Sequence, residues 1–379
     1  MFDLSALPNE LKKNLITFFK GDYKTPVVVS SKNQIKKNFG FFLKHFGFEA
    51  HHVFFPVKVN HHPDVLNSLN ELNSSFEIAS LGELEILKKI KINPEKIIFS
   101  NPVKIKEQIA EAVKYGIKTF AYDCESELKK IAEYAPGSNV YLRLSVSNTG
   151  AEWALSNKFG VLKKNAAELI SLTKKYGLNA CGIAFHVGWN NTRPDTFLKA
   201  LIDVDKVLQE IISTDIKIGF INIGGGFPAH GLKQYEFLEA ISSKIAPVIE
   251  KMKSKYAVTI YAEPGSFIIA NCAVMVCLVI DVIKRGTRNW IFVDSGIFQG
   301  FQWIMGGLKY RVIYPYKQEK KTKLQSYTIT GPSCDSHDIF TEELLLPDTI
   351  KSGDLLLIYP AEHILILQKN IMGLDILRC

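Results

Sequence analysis

Strand-like runs alternate with amphipathic helical patterns through residues 53–262, and this alternation constrains the fold more than any other feature. The runs are rich in β-branched or aromatic residues and occupy residues 53–57, 76–79, 97–100, 119–122, 140–144, 181–186, 219–223 and 258–262. The helical patterns repeat their apolar positions at steps of three and four, at residues 80–91, 106–115, 126–134, 166–176, 193–212 and 234–256. Eight strands followed by helices predict an α/β fold, a (β/α)8 barrel of TIM type, although no obvious closing helix follows the eighth strand.

The pattern changes after Gly265. Five strand-like runs separated by turns follow, at residues 267–282, 290–293, 311–314, 324–329 and 355–359. Together they predict a C-terminal, mostly antiparallel β domain, which an earlier run at residues 25–30 could join. We therefore expect the barrel to span residues 31–265 and the β-rich domain to combine residues 1–30 with residues 266–379.

Composition and charge narrow the class of protein. The 379 residues carry a net charge of +8, but Lys and Arg are spread along the chain, so no nucleic-acid surface is predicted. The six cysteines form no CxxC pair and no metal-ligand spacing, which predicts no metal site and a reduced, cytoplasmic setting. The N-terminus lacks signal-peptide features. The apolar run 267–280 contains Asn271 and is too short to span a membrane, so we interpret it as buried strand.

Polar residues and glycines lie at the ends of five predicted barrel strands, where such barrels place their catalytic and ligand-binding residues. They are Lys58, Glu77, His186, Gly224–Gly226 and Glu263. Each has a plain structural alternative, such as a lysine reaching for solvent, a core histidine, a tight turn or a loop glutamate. Their common position at one end of a barrel nevertheless predicts a site.

The chemistry of these residue types is specific. A low-dielectric pocket disfavours a charged lysine, so Lys58 could supply a neutral amine for a Schiff base. Three glycines let backbone N–H groups approach an anion, so Gly224–Gly226 could hold a phosphate. Glu263 could keep a pyridine nitrogen protonated, and His186 could stack on a flat ring. Cys334, in GPSCDSHD, is expected to be exposed and could protonate a carbanion, or it could be an incidental thiol.

The order and spacing of the motifs resemble one family. The matching stretches span roughly residues 25 to 370 and are PVKVN, FEIASLGEL, IIFSNPVK, TFAYDCESEL, LSNKFGV, GIAFHVGWN, INIGGGFP, AEPGS, VDSGIFQGF, GPSCDSHD and GDLLLIYPAEHIL. The chain resembles the ornithine/diaminopimelate/arginine decarboxylases, enzymes of the alanine-racemase-like fold type that use pyridoxal 5'-phosphate (PLP). The resemblance implies a PLP-dependent homodimer.

The resemblance also implies a role for each residue of the cofactor site. Lys58 would bind PLP covalently, and His186 would stack on the cofactor. Gly224, Gly225 and Gly226 would bind the cofactor's phosphate. Glu263 would pair with the pyridine nitrogen.

Further residues take roles from the same resemblance. Glu77 and His363 are placed among the cofactor-binding residues, with His363 where the family usually has a tyrosine. Cys334 would return a proton to the substrate carbon after CO2 leaves, and Asp335 would bind the distal group of the substrate. The β-rich domain would complete the active site of the partner subunit, so Cys334 would act on PLP held by Lys58 of the partner subunit.

This chain departs from the family pattern around the phosphate and the substrate. Ser266 stands where an arginine usually follows EPG, and Trp189 stands where a small hydroxyl residue touches phosphate. Ala154 stands where an arginine usually precedes KFG, and Gly306 or Gly307 replaces the acid with which ornithine decarboxylases bind the distal amine. We expect weaker PLP retention and a substrate other than plain ornithine.

These observations predict decarboxylation of an L-amino acid or a derivative of one. A basic or diamino acid fits, including one conjugated to another acid, as in polyamine, siderophore or other natural-product pathways. A PLP-dependent racemase is one alternative, but it normally needs a second base and lacks the GPSCD motif. A catalytically inactive decarboxylase-like regulator is the other, favoured by the altered phosphate site and opposed by the retained Lys58, His186, Glu263 and Cys334.

Overall fold

The computed structural model describes residues 3–22, 24–154, 158–229, 233–318, 322–361 and 376–378. The chain divides into two compact units. One unit is Lys36–Ile268, and the other combines Met1–Ile35 with Ile269–Cys379.

The described residues form helices and strands in the following chain order. The helices are α1 (Asn9–Lys20), α2 (Lys32–Phe46), α3 (Pro63–Glu71), α4 (Leu81–Lys89), α5 (Lys106–Tyr115), α6 (Glu125–Tyr134), α7 (Lys163–Lys175), α8 (Pro194–Ile211), α9 (Gln234–Tyr256) and α10 (Gly265–Ile269). The strands are β1 (Val27–Ser30), β2 (Phe54–Pro56), β3 (Ser75–Ile78), β4 (Ile97–Phe99), β5 (Thr119–Tyr122), β6 (Asn139–Leu144), β7 (Asn179–Phe185), β8 (Phe220–Asn222), β9 (Thr259–Tyr261), β10 (Ala273–Arg285), β11 (Arg288–Val293), β12 (Arg311–Ile313), β13 (Leu324–Thr330), β14 (Ile339–Pro347), β15 (Leu355–Tyr359) and β16 (Ile376–Arg378).

Strands β2 to β9 form the predicted barrel. They pair in parallel and in chain order. Closure occurs beside β2 and β9, where Val53 and Ala262 form a parallel bridge. The N–H of Phe54 donates to the carbonyl of Ala262 at 2.8 Å, and the N–H of Ala262 donates to the carbonyl of His52 at 3.2 Å. The (β/α)8 prediction is confirmed.

The helices follow the apolar periodicity closely. The bounds of α5 and α9 are those of the patterns at residues 106–115 and 234–256, whereas α7 begins three residues earlier than its pattern. The periodicity does not predict α3, which starts with Pro63 at a position that needs no N–H donor. The eighth strand is followed by the five-residue α10, in keeping with the missing closing pattern.

The second unit contains the other sheet. Its main path runs β12-β15-β10-β11-β13-β14, and β1 pairs with β10 and β16. The pairing of β11 with β13 is parallel, and the other described pairings of this sheet are antiparallel. The predicted mostly antiparallel β domain, joined by the run at residues 25–30, is therefore confirmed.

The interpretation of residues 267–280 as one strand is wrong in its first part. Residues up to Ile269 belong to α10, and β10 begins at Ala273. The α10 part of the run and the first residues of β10, Ala273–Cys277, are buried, so a continuous apolar run marks burial and cannot distinguish helix from strand. No helix within the described ranges is long and apolar enough to cross a membrane.

Candidate active site

Lys58 lies directly after β2, in a single 3-10 turn at Val57–Val59. Its Nζ is 3.1 Å from Oε2 and 3.4 Å from Oε1 of Glu77, a residue of β3 that is 1% exposed. The Lys58 side chain is 55% accessible although the strand that carries it is buried. The structure therefore presents one reachable amine at a barrel strand end, oriented by a buried carboxylate.

The charge state of Lys58 differs from the prediction of a neutral amine. Burial does disfavour the ammonium, but attraction by Glu77 and Glu263 and the hydrogen bond with Glu77 outweigh it and raise the pKa of Lys58. Two carboxylates that are distant in sequence and close in space cause this reversal. The residue is placed as expected, but its amine is protonated.

The end of β3 is held in place by the start of α4. Ser80 caps this helix, because its Oγ accepts the N–H of Glu83 at 3.3 Å. The carboxylate of Glu83 in turn accepts the N–H of Ala79 at 2.8 Å. This reciprocal capping fixes the backbone two residues beyond Glu77.

Glu263 follows β9 and is tied to the glycine loop through Asn222. The Asn222 Nδ2 donates to Oε1 of Glu263 at 2.7 Å, while its Oδ1 accepts the N–H of Gly224 at 2.9 Å. Burial and the nearby charge of Glu77 raise the pKa of Glu263 to about 7. Asn222 is a candidate site residue that the sequence reasoning missed, although it stands two residues before the glycines in INIGGGFP.

The glycine loop needs its glycines for close backbone contact. Gly224 has φ of +67° and Gly226 has φ of +88°, a region that L side chains disfavour. A Cβ on Gly225 would lie 2.6 Å from the carbonyl oxygen of Glu263 and 3.2 Å from Nε2 of His186. Glycine is therefore required where this loop packs against neighbouring backbone, and Gly225 lies beside the imidazole of His186.

His186 follows β7 and is neutral. The N–H of Gly188 donates to its Nδ1 at 3.2 Å, so that nitrogen carries no proton. Burial, together with the positive charges of Arg143 and Lys58, lowers its pKa to about 3. A neutral imidazole can lie against a flat cofactor ring without adding a positive charge.

Two residues that depart from the family pattern contact each other. Nε1 of Trp189 donates to Oγ of Ser266 at 3.2 Å. The ring of Trp189 also lies 5.1 Å from that of Trp153, with 33° between the ring planes. This contact joins the segments that follow β6, β7 and β9.

Cys334 and Asp335 lie in the other unit, on the loop between β13 and β14. The Cys334 thiol is exposed, as predicted. Asp335 Oδ1 accepts the backbone N–H of His337 at 2.8 Å and lies 2.9 Å from its Nδ1. These contacts lower the pKa of Asp335. The loop is anchored by Asp338, which is fully buried and accepts the N–H groups of Ile297 and Ser333.

The structure thus brings Lys58, Glu77 and Glu263 together with His186 and the glycine loop Gly224–Gly226. His363, predicted to help bind the cofactor, lies outside the described residues. The family model described as the pyridoxal binding domain of pyridoxal-dependent decarboxylases matches residues 32–270.

The chain belongs to the pyridoxal-dependent decarboxylases.

Curated and solved relatives agree with this assignment. The decarboxylase is 31% identical over 335 residues to a lysine/ornithine decarboxylase from Selenomonas ruminantium, covering 88% of this chain and 83% of the relative. It matches a crystal structure of SrLDC in complex with PLP and cadaverine with a TM-score of 0.81 and 30% identity, covering 93% and 90% of the two chains. A lysine/ornithine decarboxylase from Vibrio vulnificus, complexed with cadaverine, gives a TM-score of 0.84 and 25% identity, with 95% and 96% covered.

PLP is the cofactor of this decarboxylase, as predicted. The residues present fit it, because they offer a reachable amine, a glycine loop without side chains, a half-buried carboxyl group and a neutral imidazole. The predicted PLP-dependent amino-acid decarboxylase is confirmed.

Proposed function

We propose that this decarboxylase removes the α-carboxyl group of an L-amino acid with a basic distal group, free or as part of a conjugate. The observation that carries the proposal is the carboxylate of Asp335, which is 48% exposed and kept anionic by His337. An accessible carboxylate next to the candidate acid Cys334 suits a cationic distal group. Gly306 or Gly307, in place of an acid, would leave room for a substrate longer than ornithine.

Bound PLP supplies an electron-accepting ring that takes up the electron pair released when CO2 leaves. We assign to Lys58 the covalent attachment of the cofactor and to Glu77 the orientation of its amine, from their contact at 3.1 Å. Glu263 would hold a proton between its carboxyl group and the ring nitrogen, because its pKa of about 7 lets it share one near neutral pH. Asn222 fixes that carboxyl group, and neutral His186 would cover the ring.

Cys334 is the proposed proton donor to the substrate carbon. Its thiol is exposed, and the loop that carries it is fixed by the buried carboxylate of Asp338. The family resemblance supports a homodimer in which the β-rich domain, residues 1–30 and 266–379, completes the site of the other subunit. In that arrangement Lys58 works with Cys334 of the partner subunit.

A substrate panel tests the function. Purified protein with added PLP is assayed for CO2 release from lysine, ornithine, arginine, diaminopimelate and conjugates of the basic amino acids. D335N should raise KM for basic substrates by about tenfold, since a hydrogen bond to a charged partner is lost, and should leave neutral amino acids unaffected. D348N, which alters an exposed carboxylate of the same unit, is the matched control. Release from neutral substrates only, or an equal effect of both variants, would contradict the proposal.

Covalent labelling tests the assignment of Lys58. Borohydride reduction of the PLP-loaded protein and peptide mapping should place the label on Lys58, because its amine is accessible at the barrel strand end. K129M is the matched control, since the Lys129 side chain is 59% accessible and lies in an exposed ion pair, so its loss should leave the label unchanged. A label on any other lysine in the wild-type protein refutes the assignment.

Subunit mixing tests the shared site. K58A and C334A should each be inactive alone, and mixing them should restore about a quarter of wild-type activity. Random reassortment makes half of the dimers heterodimers, and each heterodimer has one intact site out of two. If mass spectrometry shows subunit exchange and no activity returns, the shared-site arrangement is wrong.

A further inference from the structure

The hydrogen bond between Trp189 and Ser266 decides which hydrogen-bonding role is left to the Ser266 hydroxyl group. An indole N–H can only donate, so the Ser266 oxygen accepts this bond at 3.2 Å. The hydroxyl hydrogen of Ser266 then remains to be donated elsewhere. Among the residues that the structure describes, no acceptor for that hydrogen is found. The hydroxyl is therefore available as a donor.

Trp189 is itself rigidly held. Its backbone N–H donates to the carbonyl of Trp153 at 2.9 Å, and its carbonyl accepts the N–H of Glu152 at 3.0 Å. The two indole rings lie against each other, with centroids 5.1 Å apart. A ring fixed by both its backbone and a second ring can hold a hydroxyl in one orientation at little further entropic cost.

The glycines that precede Trp189 and Ser266 pack on the glycine loop and on the lysine segment. Gly188 precedes Trp189 and packs closely on Gly226. A Cβ on Gly226 would collide with the carbonyl oxygen of Gly188. Gly265, which precedes Ser266, packs on the other side, where a Cβ would lie 2.7 Å from Val59. Val59 is the neighbour of Lys58. Ser266 is thus connected, through Trp189 and through its own chain neighbour, to both the glycine loop and the segment that carries Lys58.

We propose that Ser266 donates its hydroxyl hydrogen to the phosphate of PLP, and that Trp189 is a positioning residue that directs it there. The phosphate would then be held on this side by uncharged donors. This inference rests on the proposed attachment of PLP at Lys58. It predicts that the hydroxyl contributes to binding only when the ligand carries a phosphate.

The experiment compares PLP with pyridoxal, which lacks the phosphate. Dissociation constants of both are measured on the full-length apoprotein by equilibrium dialysis with absorbance detection. S266A should weaken PLP binding by about tenfold, because a hydrogen bond to a charged acceptor is lost, and should change pyridoxal binding less than about twofold. W189F keeps an aromatic ring and removes the N–H, so it should weaken PLP binding in the same selective way.

Coupling and rescue separate this role from simple packing. The double variant S266A/W189F should bind PLP at most about threefold more weakly than S266A alone, because both changes act through one hydroxyl. S266T should retain wild-type affinity, since it keeps a hydroxyl. W290F removes an indole in the other unit and serves as the matched control. It should change the affinity for neither PLP nor pyridoxal.

Several results would overturn the proposal. Equal weakening of PLP and pyridoxal by S266A would assign the residue to packing alone. Unchanged PLP affinity in W189F, with weakening in S266A, would remove the positioning role of the indole. Loss of PLP affinity in S266T would also contradict the proposed hydrogen bond from the hydroxyl to the phosphate. CO2 release by the wild type is scored separately, so absence of activity refutes the proposed function and leaves the PLP–pyridoxal comparison intact.

Discussion

His186 makes the folded protein sensitive to acid, and the structure sets the size of this effect. Burial and two nearby cations lower its pKa from 6.5 to about 3. The N–H of Gly188 donates to Nδ1, so protonation at that nitrogen would also break a hydrogen bond. The folded protein therefore resists a proton that the unfolded chain accepts.

The sign and the magnitude of the effect of His186 on the free energy of unfolding follow from proton linkage. As pH falls below 6.5, the unfolded chain binds a proton at this histidine while the folded protein does not, so the free energy of unfolding decreases. The contribution is fully present above pH 6.5 and is lost progressively down to about pH 3. At ~pH 4.5 the loss is about 2.7 kcal/mol, since two pH units each carry about 1.36 kcal/mol.

The perturbation is H186F, with H186Q as a second variant that keeps an acceptor for the Gly188 N–H. The apoprotein is unfolded by urea at ~pH 7.5 and ~pH 4.5, followed by circular dichroism. Between these conditions the wild type should lose about 2.7 kcal/mol more than either variant, whatever the absolute stability of the variant. Comparing pH differences cancels the groups that titrate alike in all three proteins.

NMR of protein labelled with ¹³C in its histidine rings gives a direct reading. The chain has nine histidines, and the signal of His186 is identified by its loss in H186F. That signal should keep its neutral position down to ~pH 4. A His186 signal that titrates near pH 6, or variants with the same pH dependence as the wild type within about 0.5 kcal/mol, would show the reasoning to be wrong.

Three further predictions concern the barrel. G225A should sharply reduce PLP affinity, measured by dialysis, and stability, measured by thermal unfolding, because its Cβ would lie 2.6 Å from a backbone carbonyl oxygen. G219A should be tolerated, because its Cβ would lie 3.5 Å from the nearest carbonyl oxygen. E127Q should lower the free energy of unfolding, measured in urea, by roughly 3 kcal/mol, because it leaves the ammonium of Lys104 buried without its charge partner at 2.9 Å. E125Q, which removes an exposed ion pair, is the control and should lower the free energy of unfolding by under about 1 kcal/mol. The wild type should lose PLP measurably during extended dialysis, as expected from the missing phosphate-site arginine, and full retention measured by absorbance would contradict this.

Much of the fold could be predicted because periodicity is a local property. Strand-like and helical patterns alternate along the chain, and parallel strands with helical connections close most simply into a barrel. The same pattern locates the ends of the strands, and Lys58, His186 and Glu263 lie at those ends as predicted. The continuous apolar run near Ile269 is different, because burial on all sides removes the periodicity that distinguishes helix from strand.

The sequence by itself therefore determined the succession of elements and the residue types at the carboxyl end of the barrel. Tertiary structure alone decided their charges and partners. Lys58 is protonated because Glu77 and Glu263 lie near it in space, which no local pattern records. Trp189 and Ser266 are 77 positions apart in the chain, yet one hydrogen bond joins them. Electrostatic attraction and hydrogen bonding depend on distance between atoms, and only the closed barrel sets those distances.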